Sequence, residues 1–349
     1  MKNLFEKIIS KKNNEVCIIA EMSGNHQNSF KVAKKFVDSC IFNRASIIKF
    51  QVYRPDTITI NSNRTDFKLK EKDKIWGKFN NLYEMYEKAH TPWTWIEKLA
   101  NNLNKKKFPW FASVFDNSSI QFLENLNCKA YKIASPEITD IPLIESVSKT
   151  KKPIIISAGL AEFSDLNLAI KTIKKKHNKF MILKCTSSYP APENDLDLKS
   201  IKLIANKFNC SVGFSDHTIG NEAAKVAASM GAKVFEKHFK LNNDKKSIDS
   251  HFSMKLSELQ NYKEQIKKTI SLMGENTIRI SKSSMKNYSG RRSLYVVSNI
   301  KKGEKFTFDN VKSIRPSFGL HPKYLKKIIG KKAKRHLFKG DRLIKNYID

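Results

Sequence analysis

The sequence predicts an α/β protein in which a (β/α)8 TIM barrel is followed by a small β-rich module. Three observations favour this fold: eight short, β-branched apolar runs between positions 16 and 239, helical segments between those runs, and a turn-rich pattern after position 289. Alternation of this kind is typical of repeated βα units around a parallel sheet. A chain of 349 residues also exceeds the size at which one core stops growing, so we expect one large and one small domain.

The eight runs are nearly continuous in apolar residues, which predicts strands that are buried on both faces. Eight such strands fit a closed barrel better than an open sheet. The predicted strands are Val16 to Ala20, Ser46 to Gln51, Pro109 to Ser113, Ala130 to Ala134, Ile154 to Ser157, Phe180 to Cys185, Ser211 to Ser215 and Lys233 to His238. The predicted helices include Phe30 to Phe42, Ile120 to Leu126, Leu166 to His177, Asn221 to Met230 and a last helix around Lys255 to Met273.

Two segments depart from the regular spacing. The stretch from Pro55 to Thr91 is too long for a simple βα loop and predicts an insertion at the active-site face with a following helix. Positions 275–289 predict a linker between a barrel domain, 1–274, and a second domain, 290–349. In the second domain, Ile300 to Phe306 and Leu337 to Leu343 share a Lys-Gly-acid turn between apolar residues, which predicts a compact β module.

Composition excludes several classes of protein. No apolar run reaches the roughly 20 residues needed to cross a bilayer, and Met1 to Asn14 is charged and lacks a signal-peptide core, so we expect a cytoplasmic protein with no membrane partner. Five cysteines form no Cys-x-x-Cys pair, which argues against a disulfide framework or a thiolate zinc site.

The formal net charge of +32 raises the alternative of a basic nucleic-acid-binding protein. The excess is mostly lysine scattered through every segment, whereas base recognition favours arginine on a defined groove-binding element. We find no zinc finger, helix-turn-helix or RNP motif. A solvated basic surface is the favoured interpretation, and no nucleic-acid partner is expected.

Polar side chains follow the predicted strands at their carboxyl ends, where the sites of (β/α)8 barrels lie. Lysines occur there at Lys49, Lys132, Lys184 and Lys237, and hydroxyl-bearing residues occur after most of the runs. We expect three lysines and several hydroxyl groups to converge on one rim, where they would hold a ligand with phosphate and carboxylate groups. Any single one of these residues could merely solvate the barrel mouth. A Schiff-base aldolase, which needs one desolvated lysine, is the less favoured alternative.

His217 and His238 end adjacent predicted strands, which places two imidazoles within reach of one divalent cation. A shell of nitrogen and oxygen ligands without cysteine suits Mn, Mg, Fe or Co better than structural zinc.

Five stretches carry a resemblance to a known family: IAEMSGNH at 19–26, KFQ at 49–51, YKIASPE at 131–137, GFSDHT at 213–218 and EKHF at 236–239. In order and across nearly the whole chain, they resemble the sialic acid synthase family. The tail, including Ile314-Arg315-Pro316, resembles that family's antifreeze-like (SAF) domain. Val114 departs from the family pattern, which often has proline beside the serine that corresponds to Ser113.

The resemblance implies an enzyme that condenses phosphoenolpyruvate with an amino sugar, with a divalent metal, Mn2+ or Mg2+, on His217 and His238. It implies phosphoenolpyruvate binding by Lys49, Ser113, Lys132, Ser135, Ser157, Ser187 and Ser215. It implies sugar binding by Glu21, Gln51, Glu137, Tyr189, Asp249 and Arg315. The candidates for catalysis are Glu21, Glu137 and Asp249 together with the two histidines.

Three further stretches resemble the pseudaminic branch of the family: Trp76 with LYE at 82–84, TPWTW at 91–95 and RPSFGLHPKY at 315–324. The sugar of that branch is a 2,4-diacetamido-2,4,6-trideoxy hexose, and an N-acetylneuraminate or legionaminic acid synthase is the alternative. The family also implies a homodimer in which the SAF domain is swapped and covers the neighbouring site.

Overall fold

The first part of the chain folds into a closed barrel of eight parallel strands, which confirms the predicted fold class. The computed structural model describes residues 2–10, 15–69 and 79–349. Strand β1 pairs with both β2 and β8, and this pairing closes the sheet. The strands are β1 Cys17–Glu21, β2 Ile47–Val52, β3 Trp110–Val114, β4 Tyr131–Ile133, β5 Ile154–Ser157, β6 Phe180–Cys185, β7 Ser211–Asp216 and β8 Val234–Lys240, and a short β9 Met254–Lys255 pairs in parallel with the end of β8.

Helices precede, connect and follow the barrel strands. They are α1 Lys2–Ile9, α2 Phe30–Phe42, α3 Pro55–Ile58, α4 Leu82–Ala89, α5 Trp93–Lys105, α6 Asn117–Asn125, α7 Ile141–Lys149, α8 Phe163–Lys174, α9 Ser200–Phe208, α10 Glu222–Ser229 and α11 Leu259–Met273. Helix α6 begins before the predicted Ile120 because the Asp116 carboxylate accepts hydrogen bonds from the N–H groups of Ser118 and Ser119 and so caps an earlier turn.

The core of the barrel unit forms where the strands meet the helices around them. Strands β1 to β5 consist almost entirely of buried residues, as expected for strands covered on both faces. Phe5 and Ile8 of α1 join this core, and the Phe5 ring packs edge-on against Phe111 of β3 with 5.5 Å between centroids. The carboxyl ends of the strands are therefore held in fixed relative positions.

The predicted insertion after β2 contains α3, a 3-10 turn at Thr65–Phe67 and α4. Its aromatic side chains pack onto the barrel mouth: Tyr53 makes edge contacts with Tyr86 and Phe115, at 5.6 and 5.2 Å between centroids. The Trp93 indole N–H donates to the carbonyl of Tyr53. Trp76, which supported the branch prediction, lies outside the described residues.

The second unit, Glu275–Asp349, is described by itself and contains the antiparallel strands β10 Ser293–Val296 and β11 Val311–Ile314 and the short helix α12 Leu325–Ile328. Its two repeated turns have the same geometry. Gly303 and Gly340 both have positive φ, of 82° and 97°, which glycine adopts without steric cost. The carboxylates of Glu304 and Asp341 each accept a hydrogen bond from the backbone N–H three residues earlier.

None of the described helices combines the length and the apolar character needed to cross a membrane. The five cysteines all lie in the described part of the chain, are buried and form no disulfide.

Candidate active site

Inside the barrel, two lysine side chains lie close to the carboxylate of a glutamate on another strand. Nζ of Lys49 on β2 and Nζ of Lys132 on β4 lie 3.4 and 3.8 Å from Oε1 of Glu236 on β8. Strands β4 and β8 stand on opposite sides of the barrel, so these contacts cross its interior. All three side chains are at most 5% exposed. The lysines therefore converge inside the barrel mouth.

Hydroxyl groups accept hydrogen bonds from both lysines. Nζ of Lys49 donates to Oγ of Ser113 at 3.1 Å, and Nζ of Lys132 donates to Oγ of Ser157 at 2.6 Å. Oγ of Ser215 donates to the same glutamate at 3.2 Å. Five predicted phosphoenolpyruvate-binding residues thus form one connected group of cations and hydroxyls.

The backbone at Ser113 is regular strand although Val114 replaces the proline that is frequent in the resembled family. Val114 is the last residue of β3 and pairs with Val52 of β2, one step after Ser113 pairs with Gln51. The departure from the family pattern therefore leaves the Ser113 hydroxyl in contact with Lys49.

Gly159, just after β5, lies between two further predicted serines. Its N–H donates to Oγ of Ser135 at 3.0 Å. A Cβ atom at this position would lie 2.8 Å from Oγ of Ser135 and would overlap Oγ of Ser187. Only glycine allows both hydroxyls to approach the same backbone, and two converging O–H donors suit an anion.

The buried charged groups at the barrel mouth shift one another's pKa values. Burial alone would lower the pKa of Lys49, but its ion pairs with Glu21 and Glu236 outweigh burial and raise it. Burial lowers the pKa of Lys132, and repulsion from Lys49 lowers it further. Lys132 is thus the cation with less compensation from carboxylates, and a bound anion would stabilise its charged form.

The two candidate metal-binding histidines face each other. His217 follows β7 and His238 lies in β8, their ring centroids are 5.5 Å apart, and both are buried. Nδ1 of His217 is hydrogen-bonded to the carbonyl oxygen of Thr186 at 2.9 Å, and its Nε2 lies 3.5 Å from Oγ of Ser215. Among the described residues, Nδ1 of His238 has no hydrogen-bond partner, and it lies 3.9 Å from Oδ2 of Asp249.

This pair fits a divalent metal. A metal-binding histidine usually donates its second ring N–H to a carbonyl or carboxylate, as His217 does to Thr186. Burial, followed by repulsion from His217, lowers the pKa of His238 well below its usual value, so this imidazole is neutral and able to bind a cation. In residues 2–10, 15–69 and 79–349 no group of three or more His, Cys, Asp or Glu is arranged for a metal. Water and substrate oxygens would have to complete the shell.

The loop after β1 fixes three side chains that are predicted to bind the sugar. The N–H of Ser23 donates to Oε1 of Glu21 at 2.8 Å, and Oγ of Ser23 donates to Oε1 of Gln51 at 3.2 Å. The N–H of Gly24 donates to Oδ2 of Asp249 at 3.0 Å. These carboxylates and the amide therefore share one side of the mouth.

The Tyr189 ring packs beside the two candidate metal-binding histidines. Its ring centroid lies 4.3 Å from that of His217, 6.0 Å from His238 and 5.1 Å from Phe252. The imidazoles are thus enclosed by aromatic surface on this side.

Glu137 occupies the 3-10 turn Pro136–Thr139 that follows β4. Its Oε2 is buried and has no hydrogen-bond partner among the described residues. Burial raises the pKa of this carboxyl to about 7, although Lys132 opposes the change. Glu137 can therefore gain or lose a proton near neutral pH.

Because of this raised pKa, we expect the stability of the metal-free protein to fall as pH rises from 4.5 to about 7. In that range the folded state keeps a proton that the unfolded state releases, so ionisation at higher pH costs up to about 3 kcal/mol of unfolding free energy. Urea denaturation at pH 5 and pH 8 measures the change, and Glu137→Gln should remove this contribution. Exposed Glu97→Gln is the control. A Glu137→Gln variant with the pH dependence of the wild type would contradict the assignment.

Two of the four strand-end lysines lie away from this network, so the expected convergence of three lysines is wrong. Lys237 donates to Oδ2 of Asp216 at 2.8 Å, and Lys184 lines an outer groove with Phe163 and Leu203. Successive side chains of a strand point to opposite faces, and both residues are on the outward register.

Arg315 belongs to the second unit, unlike the other predicted site residues. It directly follows β11 and its side chain is exposed.

The sequence prediction gave no role to Glu236 or Cys185, which both lie in the site. Glu236 bridges the two lysines, and Sγ of Cys185 lies 3.7 Å from both Nδ1 of His217 and Oγ of Ser187. Glu236 could have been predicted from the alternation of side chains along a strand. It lies two residues before His238, so both side chains point to the same face of β8.

Models of two known families match parts of the chain. The model of the NeuB family matches residues 36–277, and that of the SAF domain matches residues 291–343. The chain is 40% identical to a pseudaminic acid synthase of Campylobacter jejuni over 94% of this chain and 95% of the other. It is 32% identical to an N,N'-diacetyllegionaminic acid synthase of the same species, over 94% and 98%.

Among solved structures, a putative spore coat polysaccharide biosynthesis protein E from Chromobacterium violaceum superposes with a TM-score of 0.77, over 96% of this chain and 100% of the other, at 21% identity. That likeness concerns the fold alone. The length of the family match, the SAF match and the 40% identity together lead to one assignment: the chain belongs to the NeuB family.

Proposed function

We propose that this protein condenses phosphoenolpyruvate with a 2,4-diacetamido-2,4,6-trideoxy hexose and water, giving pseudaminic acid and phosphate. The observation that carries the proposal is the group of Lys49, Lys132 and serine hydroxyls inside the mouth that also holds the facing histidines. Cations and neutral donors suit the phosphate and carboxylate of phosphoenolpyruvate. The higher identity to a pseudaminic than to a legionaminic acid synthase supports the choice of sugar.

In the proposed reaction, C3 of phosphoenolpyruvate attacks the aldehyde carbon of the open-chain sugar, and positive charge develops at C2. Water adds at C2, and the tetrahedral intermediate loses phosphate by C–O cleavage. Lys132 and Lys49 stabilise the departing anion, and the hydroxyls of Ser135 and Ser187, which approach Gly159, orient it.

Proton transfer in this scheme falls to the buried carboxyl groups Glu21, Glu137 and Asp249. Burial raises the pKa of Glu137 to about 7, which suits a group that both accepts and donates protons. His217 and His238 would hold a divalent metal, Mn2+ or Mg2+, which supplies Lewis-acid polarisation of a carbonyl oxygen when bound. The enclosure by Tyr189 limits the access of water to that oxygen.

The test is to incubate the protein with phosphoenolpyruvate, Mn2+ and one of three sugars, and to measure phosphate release. We expect the pseudaminic precursor to give a kcat/KM at least about 10-fold above those of N-acetylmannosamine and the legionaminic precursor. Preference for either of the latter would support the corresponding alternative synthase. With oxygen-18 in the C2–O bridge of phosphoenolpyruvate, the label should leave with phosphate, and its retention in the sugar acid would exclude C–O cleavage.

The family resemblance also supports a homodimer in which the SAF domain of one subunit covers the barrel of the other and brings Arg315 to the sugar. Mixing inactive His217→Ala and Arg315→Ala proteins after mild dissociation tests this arrangement. Recovery of activity would support an exchange of SAF domains, and its absence would contradict it.

A basic nucleic-acid-binding protein is the alternative from another class, favoured by the charge of +32. It would retain random duplex DNA at physiological salt and release no phosphate from phosphoenolpyruvate with any of the sugars.

A further inference from the structure

A buried ionic network lies on the outer face of β7 and β8, and the proposed reaction does not use it. Asp216 and Lys237 are neighbours in the β7–β8 register. Nζ of Lys237 donates to Oδ2 of Asp216 at 2.8 Å, and the two side chains are 2% and 0% exposed. The Tyr262 hydroxyl of α11 donates to the same Oδ2, also at 2.8 Å.

The network also holds the backbone that follows β7. Oδ1 of Asp216 accepts hydrogen bonds from the N–H and the hydroxyl of Thr218, at 3.0 and 2.7 Å. Nζ of Lys237 donates to the carbonyl of Thr218 at 2.8 Å. Each conventional acceptor position of the Asp216 carboxylate is therefore used, with two hydrogen bonds to each oxygen.

The residues of this network flank the two histidines in the sequence. His217 stands between Asp216 and Thr218, and His238 directly follows Lys237. Since successive side chains point to opposite faces, the ion pair lies behind the strands while both imidazoles lie in the mouth. The ion pair therefore links the backbone that carries one imidazole to the backbone that carries the other.

A gain in folding stability is a weak explanation for such a network. Burying two charges is costly, and replacing a buried ion pair by apolar residues of similar volume is often neutral or stabilising. What an ion pair with directional hydrogen bonds supplies, and apolar packing does not, is a defined distance between two backbones.

We propose that Asp216, Lys237 and Tyr262 are positioning residues that fix the separation of the His217 and His238 imidazoles. The inference rests on the proposed role of these histidines in binding a divalent metal. The network acts through the backbone and touches neither substrate, and its effect is already present in the metal-free protein.

The chain offers a control group of similar composition. Glu124, Lys152 and Tyr131 form a second, partly exposed group of a carboxylate, a lysine and a tyrosine: Nζ of Lys152 lies 2.6 Å from Oε1 of Glu124, and the Tyr131 hydroxyl donates to the same carboxylate. Lys152 stands over the Tyr131 ring at 5.7 Å, as Lys237 does over the Tyr262 ring at 5.5 Å. This second group involves β4 and α6 and is remote in sequence from both histidines.

The experiment measures binding of Mn2+ to the metal-free, full-length protein by the loss of the free-ion EPR signal, without any turnover. Asp216→Asn should weaken Mn2+ binding by about 10-fold. Tyr262→Phe, which removes a single hydrogen bond and keeps the ion pair, should cause a smaller loss. Glu124→Gln should leave Mn2+ affinity unchanged, even if it lowers the melting temperature. Wild-type Mn2+ affinity in folded Asp216→Asn overturns the inference.

If Asp216→Asn does not fold, the double variant Asp216→Asn/Lys237→Met removes both charges, and Tyr262→Phe gives the milder change. Wild-type Mn2+ affinity in both of these variants overturns the inference equally.

His217→Ala and His238→Ala separate the two proposals. Undiminished Mn2+ binding in these two variants would disprove the metal site itself. The positioning inference would then be decided by crystal structures of the metal-free wild type and Tyr262→Phe: a changed separation of the two rings, which is 5.5 Å here, supports it, and an unchanged one overturns it.

Discussion

Replacing His217 or His238 by alanine is expected to lower kcat/KM for the condensation by about 10³-fold or more. The two imidazoles are the groups that would hold the proposed metal, and their ring centroids are 5.5 Å apart. Lewis-acid stabilisation of developing charge contributes several kcal/mol, and each 1.4 kcal/mol corresponds to a tenfold change in rate. Either substitution leaves one imidazole, which is too little to hold a cation in place.

The measurement is phosphate release at saturating Mn2+, together with circular dichroism to verify that the variants fold. His177→Ala is the control, because this half-buried histidine precedes β6 at the opposite end of the barrel. Folded variants of both site histidines that keep more than a tenth of the wild-type kcat/KM would show that the pair has no part in the chemistry.

Replacing Lys132 by methionine is the second change with a large expected effect. Lys132 donates to Ser157, is less compensated than Lys49 by carboxylates and has a lowered pKa, so a bound phosphate or carboxylate gains most from this cation. Loss of one such charged contact typically costs about 10²- to 10³-fold in rate. We expect KM for phosphoenolpyruvate to rise and kcat to fall, with little change in KM for the sugar.

Lys184→Met is the matched control for this charge. Lys184 also lies near the carboxyl end of a barrel strand, but it lines the outer groove with Phe163 and Leu203. An equal loss in both variants would indicate a general effect of surface charge. Trapping of Lys132 by borohydride in the presence of substrate would instead support the Schiff-base alternative.

Much of the fold could be predicted from the sequence because burial leaves a local signature. Runs such as Ile154 to Ser157 and Phe180 to Cys185 coincide with β5 and β6, since strands covered on both faces must be apolar along their whole length. The candidate site residues could be chosen for a related reason. The carboxyl ends of barrel strands meet at one mouth, so polar residues after the runs had to lie near one another.

The apolar runs did not show which side of each strand faces the barrel mouth. In a strand buried on both faces the apolar pattern has no period of two, so the pattern by itself does not show which side chains of that strand point into the barrel. Only the structure shows that Lys132 reaches the interior and that Lys237 pairs with Asp216 behind the sheet.

The sequence by itself determined the eight βα units, the residues at the strand ends and, through its motifs, the family. The tertiary structure alone decided which charges meet: Glu236 reaches Lys132 across the barrel, from a position 104 residues away in the sequence. The separation of the two imidazoles was likewise set by the closing of the barrel. Such distances depend on strands that become neighbours only when β1 pairs with β8, and no local pattern of residues encodes them.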